Sequence, residues 1–392
     1  MDGQVRWQVR LPTYGTMSVN PLSPVAAGGV ALFAQDGVVH ALRLGDGHQL
    51  WSWAGGQIVY GMWPWHGMVA VLTDQASTHA RLTGLEAATG RVVWTARLPR
   101  KGLYGDLAAT ADGGLAMIGA DGRVQVVDLG TGRVRWAQPA ALSPGPVAID
   151  GTVVTDAGGR PTGYDDRNGQ VRWTLSGVPP NPLLQALAGL VLVTSGTVGP
   201  GQPTALTAVD PATGRVAWRF DVGAPVTVLS AGQAGLAVTT AYPGRGLYLI
   251  DPATGRVRWH TAASIEYGTV PLVTATDVYS LEGGNVGGPV PQITDRAAAS
   301  GALRWARPLG TLPVGPQPVL GIGGQVVVAT GPGAGGTAPL LAFHAGSGQA
   351  AWHLDLPTLV AAPPVAVPGS LMVQAASPGY GCPVAGAAVP AA

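Results

Sequence analysis

Leu206-Thr-Ala-Val-Asp210-Pro-Ala-Thr-Gly214-Arg-Val-Ala-Trp218 is echoed one period later by Leu247-Tyr-Leu-Ile-Asp251-Pro-Ala-Thr-Gly255-Arg-Val-Arg-Trp259. Each stretch reads as a β-hairpin. The first strand ends at the Asp, and Asp-Pro-Ala-Thr-Gly forms the turn. Pro presets φ, the Asp carboxylate can cap the backbone that follows, and Gly accepts a positive φ. The second strand alternates in period two and ends on the Trp.

The Gly-x-x-x-Trp signature recurs along the whole chain, at Gly3/Trp7, Gly47/Trp51, Gly90/Trp94, Gly132/Trp136, Gly169/Trp173, Gly214/Trp218, Gly255/Trp259, Gly301/Trp305 and Gly348/Trp352. Successive Trp residues lie 37 to 47 residues apart. That period fits four short strands and their turns, which is one propeller blade. Each unit therefore reads A–B–C–D with the Trp on strand D. A large flat ring there fills the wedge between neighbouring sheets, and its indole N–H can reach a carbonyl of the next sheet. We read these nine Trp residues as core, not as a ligand site.

The fold class expected is all-β, a β-propeller of four-stranded blades within a single domain over residues 1–392. The motif count gives nine blades; eight stays open, since propellers usually have four to eight. The chain starts on a D strand and ends on Pro364–Gly369, Ser370–Ala375 and Cys382–Ala385, which match strands A, B and C with no Gly-x-x-x-Trp after them. The N-terminal strand is thus expected to pair with the C-terminal blade and join the ring, removing an open sheet edge.

Composition agrees with this. Of 392 residues, 22 are Lys or Arg and 21 are Asp or Glu, while Gly and Pro number 60 and 34. A charged disordered tail, a coiled coil and a helical bundle are excluded. A net charge of +1 supplies no basic field for nucleic acid. Gly and Pro interrupt every long uncharged stretch, so no transmembrane helix is expected. Met1-Asp2-Gly3-Gln4-Val5-Arg6-Trp7 carries neither a basic nor an apolar leader region. A cytoplasmic protein, or a chain taken after a removed leader or anchor, both stay open.

Ala208-Val-Asp210-Pro-Ala-Thr213-Gly214-Arg-Val-Ala-Trp218 resembles the tryptophan-docking motif of the PQQ-type β-propeller repeat. Asp251, Thr254, Gly255 and Trp259 repeat most of it, as do Asp128, Thr131, Gly132 and Trp136. The resemblance implies one of two branches. Quinoprotein alcohol dehydrogenases hold PQQ with Ca²⁺ beside a vicinal disulfide and use a catalytic Asp. The non-enzymatic branch, similar to BamB-like lipoproteins of outer-membrane assembly and to sensor domains of receptor kinases, acts as a binding platform. The chain order here, D first and A–C last, resembles the second.

The enzyme branch meets three obstacles. Cys382 is the single Cys, so no vicinal disulfide exists. The loops between repeats are short. Acids are sparse against the six to eight oxygens a Ca²⁺ site uses. Asp165/Asp166 is an adjacent pair at a turn position and reads as turn chemistry. Glu266, Asp277 and Glu282 read as a polar edge strand. No two His residues have zinc-ligand spacing. Gly331–Gly336 follows a strand with no helix after it, which does not fit a phosphate loop.

One asymmetry points to a surface. Tyr14-Gly15, Tyr60-Gly61, Tyr104-Gly105 and Tyr267-Gly268 each follow a motif Trp by seven to ten residues, just before the expected strand A. Trp63 and Trp65 lie beside Tyr60 and belong to no motif. Aromatics with a polar tip are favoured anchors at interfaces. Tyr14, Tyr60, Trp63, Trp65, Tyr104 and Tyr267 are therefore the candidate partner-binding rim. Two plainer readings stand beside it: Tyr-Gly as a packing turn of the repeat, and Trp63-Pro-Trp65 as strand-A core.

The function expected is a non-catalytic binding or scaffold propeller at the cell envelope, with a protein, peptide or glycan partner, no catalytic residue, no cofactor or metal, and a monomeric ring. The alternatives are the ligand-sensing domain of a membrane-anchored receptor or kinase, and a PQQ- and Ca²⁺-dependent dehydrogenase, against which the sequence argues.

Overall fold

A computed structural model describes residues 4–11, 22–35, 37–56, 58–75, 79–98, 107–119, 121–141, 145–178, 182–195, 205–221, 223–240, 246–263, 265, 269–283, 290–310, 318–331, 338–356, 359–360, 364–367, 370–376 and 386–390. Every element among them is β, as expected. Nine four-stranded sheets form, spanning 25–54, 58–97, 108–139, 147–174, 182–221, 226–261, 272–308, 320–356 and 359–390. In the first eight, consecutive strands are neighbours in the order A–B–C–D. The fold belongs to the β-propeller class. We name each of these eight sheets by the motif Trp on its strand D.

Strands B and C carry the core. Gly114–Gly119, Val30–Gln35 and Gly235–Thr240 are buried at every residue. Such unbroken burial follows from sheets covered on both faces, and their Val, Leu and Ala runs are what a two-sided strand requires. Strand D differs. In Val171–Thr174 Trp173 alone is buried, so strand D is an outer strand held in by one ring. Neighbouring sheets share clusters: Val126 and Trp136 pack with Val153 and Tyr164 of the following sheet.

The turn that decides the fold behaves as its residues dictate. Asp210 Oδ1 accepts from the Ala212 and Thr213 N–H groups at 3.1 and 2.8 Å and from Thr213 Oγ1 at 2.8 Å. Hydrogen bonds from Thr213 hold the Asp210 carboxyl below the usual range. Asp128 and Asp251 repeat the arrangement.

Gly at the end of the turn is required twice over. Gly214 has φ +69, and a Cβ there would lie 2.4 Å from the Trp173 ring. Trp173 Nε1 donates to the Pro211 carbonyl at 2.8 Å. The same interlock recurs: Trp7, Trp51, Trp136, Trp218 and Trp305 donate to Leu44, Ala87, Asp166, Pro252 and Ala345, each three residues before the next motif Gly, at 2.7 to 3.0 Å. Each Trp is thus stacked on one residue of the following turn and hydrogen-bonded to another. Two residues depart from the rule. Trp94 lies against Gly84 and Gly132, and its Nε1 has no hydrogen-bond partner among the described residues. Trp352, with no Gly-x-x-x-Trp unit after it, donates to Gln325 Oε1 instead at 2.9 Å. Six of the nine rings are buried and Trp51, Trp94 and Trp352 are half-buried, as core residues should be.

A β-bulge sits immediately before the Trp in the seven sheets whose C–D register is described. The bulged residues are Leu50, Arg135, Arg172, Ala217, Arg258, Arg304 and Ala351. A bulge re-aims its side chain and adds twist. Where the residue is Arg, it turns back to the hairpin Asp seven residues earlier: Arg135 to Asp128 at 2.7 Å, Arg172 to Asp165 at 2.7 Å, Arg258 to Asp251 at 3.0 Å. Ala297 occupies the Asp position of the Trp305 sheet, and Arg304 pairs with Asp277 on strand B instead.

The chain divides into two compact units. One comprises Met1–Thr73, Leu85–Arg91 and Ala263–Ala392; the other comprises Asp74–Gly84 and Val92–Ala262. Within the first unit the ends of the chain meet the first sheet. Trp7 and Leu11 share a cluster with Phe33, Leu42 and Met372, and Gln374 Nε2 donates to the Ala34 carbonyl at 3.1 Å.

In the last sheet Val365–Val367 and Ser370–Ala376 fall on the segments expected for strands A and B; Leu359–Val360 also pairs with Ser370–Ala376, and strand C is Gly386–Pro390, directly after the Cys382–Ala385 segment expected to form it. Cys382 lies outside the described residues. Arg10 forms a β-bridge, and Trp7 docks through its ring and its Leu44 hydrogen bond.

Candidate functional site

Three of the six rim candidates, Tyr14, Tyr104 and Tyr267, lie outside the described residues, as does Glu266. The other three share strand A of the Trp94 sheet, Ile58–Trp65. Tyr60-Gly61 was expected in the loop before that strand. It lies inside it, because the aromatic and β-branched run Ile58-Val-Tyr carries strand propensity up to the Trp94-sheet edge. Tyr60 is 45% exposed, while Val59 and Met62 are buried. Trp63 and Trp65 are half-buried. Period-two alternation puts Trp63 and Trp65 on the face opposite Tyr60. The Trp63 ring covers Gly61, where a Cβ would meet it at 2.1 Å, and Trp65 meets His66 edge-on at 4.3 Å. So the three aromatics do not form one patch. Tyr60 is presented to solvent, whereas Trp63 and Trp65 lean along the strand on its other face.

A second site was not anticipated. In the Trp136 and Trp173 sheets the A–B turns and the C–D turn come together around a cleft of about 550 Å³. Asp112 comes from one A–B turn, Asp150 and Gly151 from the next, and Asp165, Asp166 and Arg167 from the C–D turn, with Arg172 on strand D. Asp150 and Gly151 both have positive φ, 46° and 72°, which makes a tight hairpin turn. Most of the charges are paired. Arg135 bridges Asp112 and Asp128 at 2.8 and 2.7 Å. Arg172 holds Asp165 at 2.7 Å and donates to Thr152 Oγ1 at 2.7 Å.

Asp166 is the exception. Its backbone is fully used, the N–H donating to Gly151 and the carbonyl accepting from Trp136. Its carboxylate has no hydrogen bond or ion pair among the described residues, although the residue is only 4% exposed. Burial first, and then the negative charges of Asp112 and Asp165, push its pKa up. The Asp165/Asp166 pair therefore splits. Asp165 does the turn chemistry expected, accepting from the Arg167 and Asn168 N–H groups; Asp166 does not. The signal in the sequence was Asp166 itself, standing where the repeat elsewhere has Pro or another uncharged residue, as in Pro211 and Pro252.

The acids of the Trp305 sheet also differ from expectation. Asp277–Glu282 is an inner strand buried at every residue, not a polar edge, because it is strand B of its sheet. Glu282 is satisfied by Arg296, Thr294 and Ser280. Asp295, on strand C, is fully buried with neither carboxylate oxygen hydrogen-bonded. Burial and the charge of Asp277 raise its pKa to about 7. Among the described residues no three His, Cys, Asp or Glu side chains converge as metal ligands.

Comparison with known proteins places this architecture. The family model described as outer membrane protein assembly factor BamB matches residues 35–198 and 202–358. The outer membrane protein assembly factor BamB of Yersinia pestis is 28% identical over 196 residues, 44% of this chain and 49% of that protein; the match thus spans about half the length of the curated relative. The crystal structure of BamB from Moraxella catarrhalis superimposes with a TM-score of 0.50 at 17% identity, covering 83% of this chain and 96% of that one. The quinohemoprotein alcohol dehydrogenase ADHIIG of Pseudomonas putida HK5 superimposes with a TM-score of 0.56 at 14% identity, covering 98% of this chain and 75% of that one. At these identities the structural likenesses speak for the fold.

Proposed function

Since the chain belongs to the BamB family of PQQ-type repeat propellers, we propose that it is a non-catalytic scaffold at the cell envelope that binds protein partners, in the manner its relatives' name implies for outer-membrane protein assembly. One observation carries the reading beyond the family name. The polar residues of the repeat are consumed by architecture. Turn Asp and bulge Arg pair with one another in the Trp136, Trp173 and Trp259 sheets, joined by the turn Thr131 in the first, and the indole N–H groups are spent on neighbouring turns. What is left over is surface, and broad rigid repeat surfaces suit partner recognition.

The dehydrogenase reading has the structural neighbour in its favour but not the donor set. A PQQ–Ca²⁺ site needs several converging oxygens and the disulfide of its branch. The described acids do not converge in threes, and Cys382 has no second Cys. The discriminating experiment is titration with PQQ plus Ca²⁺ followed by Trp fluorescence. No saturable quenching is expected; one-to-one quenching at micromolar concentration overturns the reading. Crosslinking in intact cells provides the positive arm, with outer-membrane proteins recovered by the wild type.

A further inference from the structure

The cleft between the Trp136 and Trp173 sheets is lined by more carboxylates than guanidinium groups. Four carboxylates, Asp112, Asp150, Asp165 and Asp166, and two guanidinium groups, Arg167 and Arg172, line it, and Arg135 joins Asp112 to Asp128 beside it. Arg135 is spent on Asp112 and Asp128, and Arg172 on Asp165. Arg167 is 79% exposed and makes one ion pair, with Asp112 at 3.9 Å; it and Arg172 act on Asp166 only from beyond ion-pair distance. Asp150, at the mouth, and Asp166, at the base, are left without an ion pair. A carboxylate with little solvent and no direct partner is unfavourable, and Asp166 is only 4% exposed as a residue. Its carboxylate is directed at the cleft: a side chain built on Gly151, in the cleft wall, would stand 3.8 Å from Asp166 Oδ1.

We propose that this cleft receives an arginine side chain of a peptide segment from a protein partner, with Asp166 at its base and Asp150 at its mouth. The inference rests on the scaffold reading above and names the chemistry of one contact in it. The molecule shows the fitting ligand in its own neighbouring sheet, where Arg135 spans Asp112 and Asp128. A guanidinium is planar, keeps its charge when desolvated and presents five donors, so it can meet two carboxylates at once. A bare metal ion fits worse, because the described acids do not converge in the threes a metal needs. The upward displacement of the Asp166 pKa has the same cause, and an incoming cation reverses it.

The test uses the ¹⁵N-labelled full chain titrated with acetyl-Gly-Arg-Gly-amide, read at the Gly151 and Asp166 amides, with the citrulline peptide as a neutral isostere. Saturable shifts with the Arg peptide, at least ten-fold weaker with citrulline, are expected. Asp166→Asn should weaken binding at least ten-fold and raise Tm. Asp150→Asn, at an exposed site whose positive φ Asn tolerates, should weaken it several-fold and carries the test if the first variant does not fold. No shift with the Arg peptide, equal binding of citrulline, or unchanged affinity in the folded variants overturns the proposal. Failure to recover outer-membrane proteins with binding of the Arg peptide intact would sink the scaffold reading and leave the site standing; the reverse result would sink the site alone.

Discussion

Gly214 shows how much one residue decides. Its φ of +69 alone disfavours any side chain, and the Trp173 ring occupies the place of a Cβ at 2.4 Å. Gly177 has φ +74 with nothing within 4 Å of its Cβ position. Gly177→Ala should therefore cost about 1 kcal/mol, the left-handed penalty alone. Gly214→Ala should cost roughly 3 kcal/mol or more, since the ring must also leave its site. Urea denaturation of the two variants checks the difference; equal losses would show that the Trp stacking contributes nothing. Asp295 offers a second reading at this scale. Tyr279 and Asp277 on strand B and Arg304 on strand D face it. Its folded pKa lies above the unfolded one, so stability is full below about pH 4 and falls as pH rises towards 7. The loss is roughly 4 kcal/mol at most, at 1.36 kcal/mol per pH unit. Asp295→Asn should flatten Tm between pH 4 and 7, and a slope that survives the substitution points to another group.

At the scale of the element, the C–D hairpin was open to sequence reading and strand A was not. Asp210, Thr213, Gly214 and Trp218 each bear a fixed turn or packing role, so their spacing named the hairpin. The bulge before the Trp left no trace in composition, because Leu50, Ala217 and Arg258 all occupy it. Tyr60-Gly61 misled for a physical reason: Gly commonly marks a turn, whereas Gly61 is needed inside the strand to let the Trp63 ring lie over the backbone. Asp166 escaped because a turn Asp is common and only burial distinguishes this one. The hairpin itself yields a prediction. Trp173→Phe keeps a ring on Gly214 but abandons the Pro211 carbonyl, and should cost about 1 to 2 kcal/mol. Trp173→Ala removes both and should cost about 3 to 5 kcal/mol. Calorimetry on the two variants separates the hydrogen bond from the ring.

At the scale of the whole molecule, the repeat made the β-propeller class plain from the Trp spacing alone. The ends of the chain were harder to read. The last sheet includes Gly386–Pro390, a run of small residues with little pattern, whereas Trp7 carries the Gly-x-x-x-Trp signature and docks through its indole N–H. Trp7 shares a cluster with Met372, so Trp7→Ala should loosen the last sheet as well as the first. Hydrogen exchange should show the Leu371 and Met372 amides losing protection, while strand B of the Trp136 sheet keeps its own. Uniform loss across both would mean that the chain unfolds as one unit.

Six of the indoles, Trp7, Trp51, Trp136, Trp173, Trp218 and Trp305, are gripped by the turn of the unit that follows, and those six turns offer the same grip. A gene segment one period long can therefore be duplicated or excised with both new junctions already matched, because the donor Trp and the accepting Gly meet the same counterpart as before. Insertions of any other length would leave a ring without its seat. Inheritance of this protein should accordingly tolerate change in whole repeats, and descendants of differing length should differ by multiples of the spacing between two tryptophans.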